Sequence, residues 1–92
     1  FGEYPVVSME VCRYLLESGK KGVGFDVIGI DPIADGGLTR HKMLLSQKDI
    51  VIIENLTNLD KIGGDLFTFA ALPLKYKDAD GAPVRAVAII EE

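Results

Sequence analysis

Residues 50–53 read Ile-Val-Ile-Ile, four consecutive β-branched apolar side chains, and Glu54 closes the run. Side chains of this kind lose rotamer freedom in a helix and pack well on a pleated strand. Successive strand residues point to opposite faces, so a run apolar at every position needs cover on both sides, as a central strand of an α/β sheet has. That is a heavy demand on 92 residues, which make one small domain and bury only a modest fraction of their surface. Apolar residues are 48% of the chain, more than so small an interior absorbs. The excess points to apolar surface that meets a partner.

The rest of the chain supplies elements to lie beside that strand. Ser8 is a candidate N-cap for a helix over 9–18, with Glu10 in the first turn, where negative charge suits the helix dipole. Val11 and Leu15, joined by Cys12 and Leu16, give that helix an apolar face, and Gly19 follows as a C′ glycine. A buried strand is expected over 22–27. Gly22 and Gly24 open it, but no helix follows and no third glycine completes a phosphate-binding fingerprint, so close backbone packing is their reading. Asp31 falls at the end of this apolar segment. It is either a functional side chain at a strand's C-terminal end or an Asx turn before Pro32. A second helix is expected over 38–47, with Leu38, Met43, Leu44 and Leu45 as its apolar positions and His41 able to face inward with Leu38 and Leu45. After the 50–53 strand come a loop with one helical turn over 59–62, a strand over 66–72 ended by Pro73, a turn-rich loop over 77–83, and a strand over 84–90. Glu91 and Glu92 read as a solvated end. The fold class is α/β (α+β), a mixed β-sheet with two helices on one side.

Net charge is −4, which argues against partners that need basic patches, such as nucleic acid or an anionic membrane. The pairs Lys20-Lys21 and Arg40-His41-Lys42 read as solvated helix ends. No apolar run reaches the ~18 residues of a membrane span. Cys12 is the single cysteine, so it has no internal disulfide partner and reads as a buried thiol. The one histidine, His41, and the strand-ending Glu54 are sound ligand types for zinc or manganese, and they converge if the second helix packs beside the 50–53 strand. Two ligands are fewer than the three or four a zinc site uses, so a structural histidine remains the alternative. Glu54 still needs a cation or water nearby, because an ionised carboxylate is costly to bury alone.

Five segments in order carry a resemblance. They are Gly22-Val-Gly-Phe-Asp-Val-Ile-Gly-Ile-Asp-Pro32, His41-Lys-Met-Leu-Leu45, Ile52-Ile-Glu-Asn-Leu56, Leu72-Pro-Leu-Lys75 and Pro83-Val-Arg-Ala-Val87. Together they resemble the C-terminal half of the cyclase family, metal-dependent hydrolases related to bacterial kynurenine formamidase. The resemblance implies a swivelling β/β/α fold and a zinc- or manganese-dependent amidohydrolase acting on N-formylkynurenine, isatin or a related small amide. It also implies that His41 and Glu54 are metal ligands, that Asp31 is a supporting residue, and that Arg85 is scaffold. In that family a histidine-rich motif, His-x-Gly-Thr-His-x-Asp-x-Pro-x-His, supplies the remaining ligands and the acid/base histidine. This chain has one histidine and lacks the motif. The expectation is therefore a C-terminal portion of a longer enzyme, inactive alone, completed by an N-terminal half, cytoplasmic and homo-oligomeric. The rival from another class is a non-catalytic α/β module that uses its apolar surface for interaction or oligomerisation.

Overall fold

The structure, a computed structural model, describes residues 3–47 and 49–91. Phe1 and Gly2 of the expected lead-in and Glu92 of the expected solvated end lie outside the described residues. The chain divides into two units, Phe1–Thr57 and Asn58–Glu92.

The first unit holds helix α1 (Met9–Glu17), strand β1 (Gly22–Gly24), helix α2 (Thr39–Leu45) and strand β2 (Val51–Ile53). Helix α1 has the ends its sequence calls for. The Ser8 hydroxyl accepts the Val11 N–H at 3.2 Å, and Gly19 sits past the end at φ +71°, a left-handed conformation that glycine adopts without a Cβ penalty. Strands β1 and β2 pair in parallel, Gly22 opposite Val51 and Gly24 opposite Ile53. Parallel strands need a long crossover, and α2 lies within it. Hydrogen bonds continue the pairing beyond the strands: Phe25 N–H to Ile53 O, Asn55 N–H to Val27 O and Leu56 N–H to Phe25 O, all at 2.9–3.0 Å. The expected strand over 22–27 is thus present as a short ladder with an irregular extension, and that extension fixes the backbone on either side of Glu54. Gly22 is needed for close approach, since a Cβ there would lie 3.1 Å from the Val51 carbonyl oxygen.

Cys12, Ile30, Leu44 and Ile50 form the buried core of this unit, with Val23, Phe25 and Ile52 packed around it. Helix α2 packs against α1 and β2. Of the four expected apolar positions of α2, Leu44 and Met43 pack inward and Leu38 and Leu45 do not. Leu44 is fully buried, whereas Leu38 and Leu45 are 48% and 54% exposed. Arg40, His41 and Leu44 share a face by helical spacing, so His41 does face inward, but beside Leu44 rather than between Leu38 and Leu45. The 50–53 run also departs from burial on both faces: Ile50 is buried, but Val51 is 56% exposed. With one strand neighbour and one helix against it, β2 is covered on a single side.

The second unit holds a short 3-10 turn (Leu59–Lys61) and an antiparallel pair, β3 (Thr68–Pro73) and β4 (Val84–Ile89). The strands thus divide into a parallel pair and an antiparallel pair, two small sheets where a single mixed sheet was expected. In the hairpin, Thr68 faces Ile89 and Pro73 faces Val84. Side-chain alternation puts Phe69 and Ala71 with Ala86 and Ala88 on one face, and Leu72 with Val87 and Ile89 on the other. Both faces are largely apolar, with Thr68 and Arg85 the polar residues of the second. Phe69, Leu72, Val87 and Ile89 are all exposed, and Phe67 meets Phe69 edge to face with centroids 6.5 Å apart.

Candidate metal centre

The site is built at the start of α2. A helix leaves its first N–H groups without partners inside the helix. Here the N-cap residue, Leu38, has a left-handed backbone (φ 54°) and offers no capping side chain. Two aspartates from the preceding loop take over. Asp35 Oδ2 accepts the Thr39 N–H at 3.2 Å and its Oδ1 accepts the Gly37 N–H at 3.0 Å. Asp31 accepts the next two: Oδ1 takes the Arg40 N–H at 2.8 Å and Oδ2 the His41 N–H at 2.9 Å. Of the two readings open for Asp31, the Asx turn belongs instead to Asp35. Among the described residues Asp31 is the one buried polar residue, with its side chain only 1% exposed.

His41 lies between two carboxylates. Its Nδ1 is 2.8 Å from Asp31 Oδ2, and its Nε2 is 2.8 Å from Glu54 Oε1. The structure thus brings together all three residues singled out in the sequence, Asp31 from the end of the first apolar segment, His41 from α2 and Glu54 from the end of β2. It also adds residues that the sequence reading missed. Arg40 is not a solvated helix end. Its Nε donates to the Val7 carbonyl at 2.6 Å and its guanidinium lies 3.4 Å from Asp31 Oδ1. Tyr4 donates its hydroxyl to the Asp31 carbonyl at 2.6 Å. The available signal for Arg40 was its place in the first turn of a helix that follows a buried-strand aspartate. Lys20 and Lys21 are exposed as expected.

Burial disfavours charge on both central groups, and the hydrogen bonds outweigh it. Burial alone would raise the Asp31 carboxyl, but the His41 and Arg40 backbone N–H groups, followed by their side chains, hold it below its ordinary 3.8. Burial would lower His41, but Asp31 and then Glu54 raise it above 6.5. These shifts set the pH dependence of the metal-free protein. The contribution of protonated His41 is fully present below about pH 6.5 and is lost as pH rises through its raised folded-state value. That of ionised Asp31 is present above about pH 3.8 and is lost as pH falls through its lowered value. The urea midpoint should therefore decline in both directions, and His41→Gln should abolish the alkaline decline. A wild-type midpoint that stays flat from about pH 6 to 9 would contradict a charged His41.

The donor chemistry fits a cation. With Asp31 engaging Nδ1, the Nε2 atom of a neutral ring turns a lone pair toward Glu54 Oε1 at 2.8 Å. At that separation a proton fits between them, and a metal ion, bonded to each at about 2.0–2.1 Å, would sit to one side of the line joining them. Asp31 and Glu54 sit on opposite ring nitrogens, so they cannot share one ion. Among the described residues no group of three or more ligating side chains converges.

No family model matches the chain. It is 39% identical over 83 residues to a kynurenine formamidase of Bacillus anthracis and 37% identical over the same length to one of Bacillus cytotoxicus. Each alignment covers 90% of this chain and 39% of the relative. A solved structure described as a potential metal-dependent hydrolase with cyclase activity superposes with a TM-score of 0.76 at 34% identity, over 90% of this chain and 40% of the other. The chain thus spans about two fifths of the length of these proteins.

Proposed function

We propose that this cyclase-family, kynurenine formamidase-like chain supplies part of the metal site of a metal-dependent hydrolase of amide-type bonds. The observation that carries the reading is the 2.8 Å approach of His41 Nε2 to Glu54 Oε1, backed by a buried carboxylate on the other ring nitrogen. His41 and Glu54 would hold a divalent cation, zinc or manganese. When bound, that ion would polarise a carbonyl and activate a water at neutral pH. The chain's own contribution is to fix the imidazole through Asp31 and to set the carboxylate at the end of β2. The remaining ligands and the acid/base histidine come from sequence beyond these residues, from an N-terminal half of the same protein, so the 92 residues alone are inactive.

The hairpin supports the same view. A two-stranded ribbon largely apolar on both faces is marginal in water, and further sequence of the intact, cytoplasmic and homo-oligomeric enzyme would cover it. A purely interacting module would explain the hairpin but leaves the arrangement around His41 without a purpose. The test is a hydrolysis assay of the intact protein on N-formylkynurenine and a panel of small amides, with metal analysis alongside. Turnover that a chelator abolishes and zinc or manganese restores is the expected result. A metal-free protein with no hydrolysis of any of these substrates would overturn the reading.

A further inference from the structure

We propose that Asp31 is a positioning residue that holds the neutral His41 ring as its Nδ1–H tautomer and thereby presents the Nε2 lone pair to Glu54. Its consequence for metal binding rests on the reading of His41 and Glu54 as ligands. Its consequence for the ring does not.

The geometry divides the work between the two Asp31 oxygens. Oδ1 is occupied by Arg40, through the backbone N–H at 2.8 Å and the guanidinium at 3.4 Å. Oδ2 receives two groups of a single residue, the His41 backbone N–H at 2.9 Å and ring Nδ1 at 2.8 Å. This two-point hold fixes the ring as well as the main chain. Turning the imidazole over would set a C–H against Oδ2 and another against Glu54, and both contacts would be lost. An ionised carboxylate can only accept, so the single proton of a neutral ring goes to one of the two carboxylates: Asp31, 1% exposed and held by Arg40, keeps it, whereas Glu54, 30% exposed, has water to accept from. Arg40 keeps the carboxylate in place. Its Nε is anchored on Val7 O at 2.6 Å, and its side chain is only 17% exposed. Outer-sphere partners of this type orient a metal-binding histidine and select its tautomer.

Asp31→Asn is the informative variant. The amide must turn either its oxygen or its NH2 toward His41. At Oδ1 both Arg40 groups can only donate, whereas at Oδ2 the His41 N–H can only donate but Nδ1 of a neutral imidazole can accept, so leaving the oxygen with Arg40 strands one donor instead of two. Arg40 therefore retains the oxygen, the NH2 faces His41, and the ring switches to the Nε2–H form. The experiment is a long-range ¹H–¹⁵N spectrum of the intact, metal-free protein labelled at histidine, recorded above the ring's titration. The His41 signals are assigned by their loss in His41→Gln. The expected result is an Nδ1–H ring in the wild type and an Nε2–H ring in Asp31→Asn, with zinc affinity lowered about 10- to 100-fold in the variant. An Nε2–H ring in the wild type overturns the proposal without recourse to any variant, so it stays testable if Asp31→Asn does not fold. A folded Asp31→Asn protein that keeps the Nδ1–H ring overturns it as well. Zinc titration separates the two readings. If the tautomers behave as expected but zinc binds equally to wild type and His41→Gln, the ligand assignment fails and the positioning role of Asp31 stands.

Discussion

Replacing His41 or Glu54 by alanine in the intact protein should lower bound metal and hydrolysis together. Loss of an outer-sphere partner of a metal ligand typically costs about 10- to 100-fold in affinity. Loss of a ligand itself should exceed that, so each variant is expected to fall by more than about 100-fold in metal affinity. The two effects should not multiply. Once one member of a half-site is gone, the other holds the ion little better than a surface side chain does. Glu54→Gln adds a finer reading. It keeps the shape of the side chain and removes its charge, so a loss as large as that of Glu54→Ala assigns the effect to the carboxylate rather than to packing. Metal-to-protein ratios measured beside rates decide the matter. Unchanged occupancy in both alanine variants would remove His41 and Glu54 from the metal site.

The largest expected effect on stability comes from Leu44→Ala. Leu44 has no exposed surface and packs in the cluster of Cys12, Ile30 and Ile50. Truncating a leucine in such a place costs about 2–5 kcal/mol, the lost transfer energy plus the cavity left behind. Against the roughly 5–15 kcal/mol of a typical domain this is a large fraction. Leu45→Ala, at a side chain 54% exposed, should stay within about 0.5 kcal/mol. The neighbouring substitutions thus test which face of α2 is inward. Equal shifts in the urea midpoint would contradict the observed packing. Leu44 lies one turn from His41 on the same helix, so metal affinity should weaken in Leu44→Ala as well.

How much of this was legible in the sequence depended on how local the cause was. The ends of α1 were readable because a cap is set by a few adjacent residues. Ser8 bonds the Val11 N–H three residues on, and Gly19 takes the left-handed turn. The meeting of His41 and Glu54 was legible as a possibility from residue types and from the expected packing of helix on strand. Asp31 was legible only as an aspartate in a suggestive place. Its task depends on Leu38 leaving α2 uncapped, a backbone state that nothing about a leucine signals. Arg40 was misread for a related reason. A basic residue that opens an Arg-His-Lys run resembles a solvated end, and what it reaches instead is the Val7 carbonyl, 33 residues earlier. The inward face of α2 was only partly legible, because four apolar residues compete for it and tertiary packing buries Leu44 while leaving Leu38 and Leu45 exposed. The division of the strands into two pairs followed from tertiary pairing, which hydrophobic pattern alone does not specify.

The short chain separations within the site have a kinetic meaning. Asp31, His41 and Glu54 are linked by contacts spanning 10 and 13 residues, all inside one strand–helix–strand crossover. Closing loops of that size carries a small entropic cost, and contacts of low sequence separation form early when a chain collapses. The imidazole and its two carboxylates can therefore assemble as the first unit folds, without contacts to distant sequence. The unit would then present a preformed imidazole–carboxylate pair, and completion of the proposed metal site would become a docking step rather than a folding step.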